Sequence, residues 1–239
     1  MTITSKDNEK LKLVRRLAER KHREREGLFV TEGEDLLSAG IRAGAEPRVL
    51  LSAAGAGLGG DEVERPLLDS VSQLGSGTRV IAVWPARWTD RPASACVFLD
   101  GIADPGNVGA IIRAADGFGA ATVALDAASA DPLSPKAVRA SMGSVFAVGL
   151  VRCTVGDTPA PRAGLAAHGG AWPPAAVPAT LCVGAERAGL SAETSQACEE
   201  LWTIPLPGGA ESLGAAAAAT VALERISSAA AVDRAPGKA

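Results

Sequence analysis

The sequence predicts an α/β protein in which a larger C-terminal domain built on a parallel sheet follows a small α/β domain. Three observations lead there. Short β-type apolar runs alternate with helical patterns along most of the chain, and alternation of that kind implies a parallel sheet covered on both faces. With 239 residues, 47% of them hydrophobic, the chain can bury a real core and has room for one large domain or two small ones. Residues 85–95, PARWTDRPASA, hold two prolines and few apolar side chains, and they read as a linker between two patterns.

In the first pattern, residues 10–25 (KLKLVRRLAERKHRER) carry eight of the 24 Lys and Arg residues: Lys10, Lys12, Arg15, Arg16, Arg20, Lys21, Arg23 and Arg25. Leu13, Val14 and Leu17 share one helical face with Leu11 alongside, so the stretch predicts a single amphipathic helix with a basic outer surface. The net charge of −3 argues against a nucleic-acid binder. A local basic face on an acidic protein can still grip a phosphate backbone. Further along, 33–43 reads as a helix, 48–52 as a strand, 55–60 as a flexible turn, 66–74 as a helix and 79–84 as a strand.

The second pattern is more regular. CVFLDGI (96–102) is a buried-type strand, DPGN a loop, VGAIIRAADGFG (108–119) a helix and ATVALD (121–126) a strand. Residues 134–142 look helical, 145–151 a strand, and 156–178, rich in Gly, Pro and Ala, an irregular connection. A strand at 181–184, a helix at 192–201 and a strand at 202–206 follow. In 202–226, WTIPLPGGAESLGAAAAATVALERI, that last strand runs into a glycine turn and a long alanine helix. Gly208 and Gly209 would let the backbone press close to a ligand. Ser212 is the expected N-cap. The smooth face of Ala215 to Ala219 can approach another backbone, in this chain or in a second copy.

Several function classes are disfavoured. No apolar run has the length of a membrane span, and MTITSKDNEKLKL lacks the apolar core of a signal peptide, so a cytoplasmic protein is expected. Cys96, Cys153, Cys182 and Cys198 show no C-x-x-C spacing, and His22 and His168 are the only histidines. Four buried reduced thiols and no metal site are expected. Tyr is absent and aromatic residues make up 3%, which disfavours a base-stacking platform. A dinucleotide site fits poorly. Asp126 lies at a suitable distance for a ribose contact, but Gly106 and Gly109 are three apart and Asn107 stands where a second glycine is needed.

Four stretches in order carry a family resemblance: DPGNVGAIIRAADGFGA (104–120), SADPLSPKAVRASMGSVF (129–146), GAERAGLS (184–191) and IPLPGGAESLGAAAAATVALE (204–224). Together they resemble the ordered motifs of the SpoU/TrmH-type SPOUT methyltransferases over roughly residues 96–228. The N-terminal unit looks like the small substrate-binding domain of relatives that modify ribosomal RNA. The resemblance implies two domains, 1–90 for RNA and 96–239 for a SPOUT fold with a deep trefoil knot. It also implies a homodimer, and methyl transfer from S-adenosylmethionine to a ribose 2′-hydroxyl of RNA, most naturally rRNA, with tRNA as the other candidate. By position, Gly184, Ile204 and Leu213 would line the adenosine pocket, and Asn107, Arg113, Glu186 and Ser212 would form the catalytic group.

The chemistry accords with these residue types. A sulfonium methyl is already activated, so the enzyme mainly aligns an oxygen with it. The hydroxyl must lose its proton during attack. Arg113 matches the family's essential arginine. It would act either as base, a role to which a guanidinium is poorly suited, or as a phosphate anchor that stabilises the developing alkoxide. Asn107 would orient Arg113 or the ribose. Glu186 would hold the local network or pair with a cation.

Two positions depart from the family pattern, Ala185 and Gly214, where relatives usually carry asparagine. The losses keep open a second class of function, an RNA-binding or assembly protein that retains the fold with weak or lost catalysis.

Overall fold

The computed structural model describes residues 2–172 and 177–234. The chain divides into two compact units, Met1–Arg87 with Asp131–Ala147, and Trp88–Ala130 with Val148–Ala239. Residues 131–147 thus fold with the N-terminal residues, although the sequence pattern continues unbroken through them.

The first unit begins with two helices, α1 (Glu9–Arg16) and α2 (Arg20–Glu26), where a single helix is expected. Asn8 caps α1 by accepting the Lys10 N–H. Leu11, Val14 and Leu17 are buried, while Leu13, expected on the same face, is only partly buried against them. Past the end of α1, Arg23 Nη1 donates to the Leu17 and Ala18 oxygens, each at 2.8 Å, and so satisfies carbonyls that a continuing helix would have used. The basic surface is also largely neutralised. Lys10 pairs with Asp61, Lys12 with Glu9, Arg20 with Glu24, Lys21 with Glu19 and Arg25 with Glu26.

Next come β1 (Leu28–Glu32), α3 (Glu34–Arg42), β2 (Val49–Ala53), β3 (Asp61–Val63), α4 (Arg65–Asp69) and β4 (Val80–Pro85). The sheet order is β1-β4-β2-β3. β4 pairs antiparallel with β1 and β2, and β3 lies parallel to β2. Strands β1 and β3 were absent from the sequence reading, and α4 ends earlier than expected.

Buried Trp84 anchors one face. Its Nε1–H donates to Thr31 Oγ1 at 2.8 Å, and its ring meets Phe146 edge-on at 4.9 Å. α3 lies close because residue 40 is glycine: a Cβ there would fall 2.6 Å from the Trp84 ring. Helix α6 (Pro135–Ala140), capped by Ser134, and a short 3₁₀ turn at Ser144–Phe146 complete the unit. The strand expected at 145–151 is therefore this turn followed by β7 (Gly149–Arg152) of the second unit.

The second unit has a six-stranded sheet in the order β10-β8-β9-β5-β6-β7. It comprises β5 (Cys96–Asp100), β6 (Thr122–Leu125), β7, β8 (Arg162–Leu165), β9 (Thr180–Gly184) and β10 (Glu200–Trp202). Every pairing is parallel, as the alternation predicts. β8 lies inside the stretch expected to be irregular, and β10 begins two residues before the expected strand, so α7 (Ala192–Ala197) is shorter than the predicted helix. Helix α5 (Pro105–Gly117) starts within the supposed DPGN loop. Asp104 accepts the Gly106 N–H as its N-cap, and Pro105 takes the first position, where its missing N–H has no consequence.

The last helix, α8 (Ala215–Arg234), packs on α5 and β9. Ala215, Ala219, Ala222 and Leu223 form its buried stripe, so the alanine face serves this chain's own core. All four cysteines are free. Cys96 and Cys182 are buried, while Cys153 and Cys198 are only half-buried, short of the expected full burial. Burial pushes the Cys96 thiol up to about 12 and the Cys153 thiol up to about 11. Among the described residues no helix is long and apolar enough to cross a membrane, and no group of side chains could hold a metal ion.

Candidate active site

The site lies in the second unit, where β9 ends and α8 begins. β9 delivers Gly184 to a tight loop. Gly189 N–H donates to the Ala185 oxygen at 2.8 Å, and a Cβ at residue 184 would fall 2.2 Å from the Gly189 carbonyl carbon and 2.4 Å from the Leu190 nitrogen. Only glycine admits that approach. Buried Asp100, at the end of β5, accepts the Ser191 N–H at 2.6 Å and ties the far side of the loop to the sheet.

A cavity of ≈ 100 Å³ sits against this loop, lined by Gly184, Ala185, Glu186, Trp202, Ile204 and Leu213 among others. A wider cleft of ≈ 400 Å³ shares its Leu165, Glu186, Gly189, Glu211 and Ser212 walls and adds His168 and Arg187. Together they have the scale and the mainly apolar lining of a small-molecule site. The charged groups lining the cavity itself are two carboxylates, Glu186 and Glu211.

Glu186 is also the link to α5. Its Oε1 accepts the Asn107 amide at 2.6 Å. A Cβ at residue 214 would lie 3.6 Å from the same oxygen, an ordinary contact, so Gly214 faces this pair.

The structure thus gathers Gly184, Ile204, Leu213, Ser212 and Glu186 on one cavity and attaches Asn107 to it. It does not bring Arg113 to the cavity lining. Arg113 is exposed on α5 and makes no hydrogen bond or ion pair among the described residues.

One local expectation changes. Ser212 lines the cavity but does not cap α8, whose first residue is Ala215. Gly214 precedes it, with its carbonyl accepting the Ala218 N–H at 3.0 Å. A Cβ at Gly208 or Gly209 would meet no described protein atom within 4 Å, and Gly209 has a φ of +83°. Leu165, Ala166 and Ala167 also line the cavity without any sequence signal, because the residues of β8 look like irregular chain, and so does Trp202, whose sequence context marks only a strand.

A family model described as the SpoU rRNA Methylase family matches residues 94–224. The chain belongs to the SpoU rRNA methylase family. A second model, described as an MRM3-like substrate binding domain, matches residues 8–84. This SpoU-family chain is 36% identical over 143 residues to a 23S rRNA (uridine(2479)-2'-O)-methyltransferase of Streptomyces viridochromogenes, covering 53% of this chain and 50% of that protein. It spans about half the length of the first curated relatives it matches. A longer likeness, 29% identical, is to the 23S rRNA (guanosine(2553)-2'-O)-methyltransferase RlmP of Bacillus subtilis, covering 92% of this chain and 96% of that one. Among solved structures, an AdoMet-bound rRNA methyltransferase from Sinorhizobium meliloti superposes with a TM-score of 0.82 at 28% identity, covering 95% and 97% of the two chains. AviRb from S. viridochromogenes, in complex with AdoMet, gives 0.79 at 28% identity, covering 92% and 97%.

Proposed function

We propose that this chain transfers a methyl group from S-adenosylmethionine to a ribose 2′-hydroxyl of ribosomal RNA. The observation that carries the reading is the single cavity on which Gly184, Glu186, Ile204, Ser212 and Leu213 converge, with Asn107 bonded to Glu186 at its edge. The cavity fits the cofactor chemically. Apolar walls from Ile204, Leu206 and Leu213 suit an adenine ring, and the two carboxylates of the lining suit a sulfonium cation. The names of both curated relatives and the AdoMet held by both structural neighbours support the same reading.

When bound, the cofactor supplies an activated methyl group. The chain's own residues have the remaining work. The 184–189 loop and the start of α8 enclose the site. Glu186 holds the Asn107 amide in one orientation, which leaves that amide's oxygen to position the ribose. Arg113, without a partner among the described residues, offers its guanidinium to the neighbouring phosphate and to the charge that develops on the attacking oxygen. We assign it as an anchor, because its planar fork of N–H donors matches the oxygens of a phosphate. Ser212 contributes a hydroxyl to the cavity wall.

Residues 1–90 form the RNA-holding domain in this proposal, and residues 96–239 the methyl-transfer domain. The C-terminal segment threads through the loops after β9 and β8 as a trefoil knot. Two copies pair through α5 and α8, and the protein works in the cytoplasm. A specific observation favours a second reading. Ala185 and Gly214 add no side-chain amide to that of Asn107 beside Glu186, which suits an RNA-assembly protein with slow catalysis.

The test is a map of ribose 2′-O-methylation across cellular RNA with and without the protein, paired with methyl transfer from labelled cofactor to unmodified transcribed 23S rRNA. One methyl group lost from the map and restored by the purified protein is expected. An unchanged map, with no transfer in vitro, defeats the enzymatic reading.

A further inference from the structure

Met142 combines two unfavourable features. Its φ of +50° lies in the left-handed region, and Ala95 is the only other described non-glycine residue with a positive φ. Its side chain is nonetheless 53% exposed, so burial does not compensate for the backbone. Backbone strain of this kind persists only where the surroundings enforce it. Here they do. Met142 N–H donates to the Arg139 oxygen at 3.1 Å, and the fully buried Ser141 hydroxyl donates to the Val138 oxygen at 2.7 Å. On the other side Gly143, at φ +98°, lies against α3, where a Cβ would fall 2.5 Å from the Ala39 Cβ.

The charge on this stretch has one sign. Asp131 is the sole carboxylate of residues 131–147, and it is buried against Arg23. Arg139 and Lys136, about one and two turns before Met142, are both exposed. One turn beyond Ala39, α3 exposes Arg42. The result is a rigid turn that holds a polarisable thioether in solvent and is flanked along the chain by cations.

We propose that Met142 is a contact for an unpaired base of the RNA, with Arg139 on the flanking phosphate. The proposal rests on the reading that this protein acts on RNA. A thioether packs on the face of any aromatic base. A guanidinium matches a phosphate by two parallel hydrogen bonds. With aromatic residues scarce in the chain, the fixed methionine takes the place of a stacking ring.

The test uses the full chain with two probes, transcribed 23S rRNA and a short fluorescein-labelled single-stranded RNA of mixed sequence. Met142→Gly removes the side chain and suits the positive φ, so the thermal midpoint stays level or rises. RNA affinity falls by about three- to tenfold, the scale of a sulfur–aromatic contact. Met142→Leu keeps most of the affinity. Arg139→Gln lowers the slope of log affinity against log salt by about one. Parent-like RNA binding by Met142→Gly overturns the proposal, as does a drop in its thermal midpoint that tracks the lost affinity. A parent that binds both RNAs through Met142 and transfers no methyl overturns the enzymatic reading while the contact stands. A parent that binds neither RNA overturns both.

Discussion

Arg23 and Asp131, 108 residues apart in sequence, form a closed pair in the first unit: Arg23 Nε donates to Asp131 Oδ2 at 2.8 Å, and Nη2 lies 2.7 Å from the same oxygen. The side chains are 5% and 9% exposed. With Nη1 bound to two carbonyls, the guanidinium is bonded at all three nitrogens. Removing one member leaves the other buried and unpaired, which costs about 3–5 kcal/mol. Asp131→Ala should lower the unfolding free energy from urea titration by that amount, and Arg23→Met with Asp131→Leu should recover much of it. A single variant within about 0.5 kcal/mol of the parent, as at an ordinary surface site, would show the pair to be dispensable.

Gly184→Ala should separate the cavity from the rest of the fold. The added methyl would overlap the Gly189–Leu190 backbone, which cannot move aside as a flexible side chain can. Overpacking of this kind typically costs about 1–3 kcal/mol. Calorimetry should show S-adenosylmethionine affinity reduced by an order of magnitude or more. Unchanged affinity would place the cofactor elsewhere.

Arg113→Ala should leave cofactor affinity intact, because Arg113 does not line the cavity. Methyl transfer should fall on the order of a hundredfold or more, as for other charge-assisted contacts made in the transition state. Single-turnover rates at saturating cofactor decide it, and undiminished turnover removes Arg113 from the mechanism.

Gly214→Asn should be well tolerated. Glycine precedes α8, a position where asparagine ranks among the best residues. A Cβ there meets only Glu186 Oε1, at 3.6 Å. The added amide would stand beside the Asn107–Glu186 pair, and single-turnover methylation should accelerate, further with Ala185→Asn. A parent that is already fast, and slows on gaining the amide, would mark the glycine as part of a reorganised and competent site.

A chain reduced to residues 96–239 should still bind cofactor and pair, but with a lowered thermal midpoint. Phe146 would lose its ring contacts with Phe29 and Trp84, and Asp131 would lose Arg23. RNA affinity should drop with the missing domain, and that of the full chain should fall with salt as phosphate contacts release counterions. Equal stability and equal RNA affinity for the two chains would contradict this division of labour.

What could be read from sequence followed the strength of the local signal. β5, β6 and the body of α5 announced themselves as apolar runs with helical or strand spacing, and they are where the sequence places them. β8 did not. Its four residues, RAGL, include a glycine and stand among prolines and alanines, so it is a strand by virtue of β9 and β10 on either side. Ser212 has the chemistry of a helix cap, but α8 begins where Ala215 and Ala219 can seat against the core, three residues later. The basic run at 10–25 concealed its own neutralisation. Asp61 and Asp131 are remote in sequence, and no periodicity signals that they meet Lys10 and Arg23.

The strand order carries a consequence for synthesis. β9 lies between β8 and β5, and both leave the ribosome before it. Until residue 184 has emerged, β5 presents a bare edge of unpaired backbone groups, an invitation to strands of other nascent chains. The cofactor cavity waits longer still, since its last wall is the start of α8. A ribosome that stalls between β8 and β9 therefore holds a chain with only β5, β6 and β7 paired, no cavity, and a sticky seam where the ligand loop belongs.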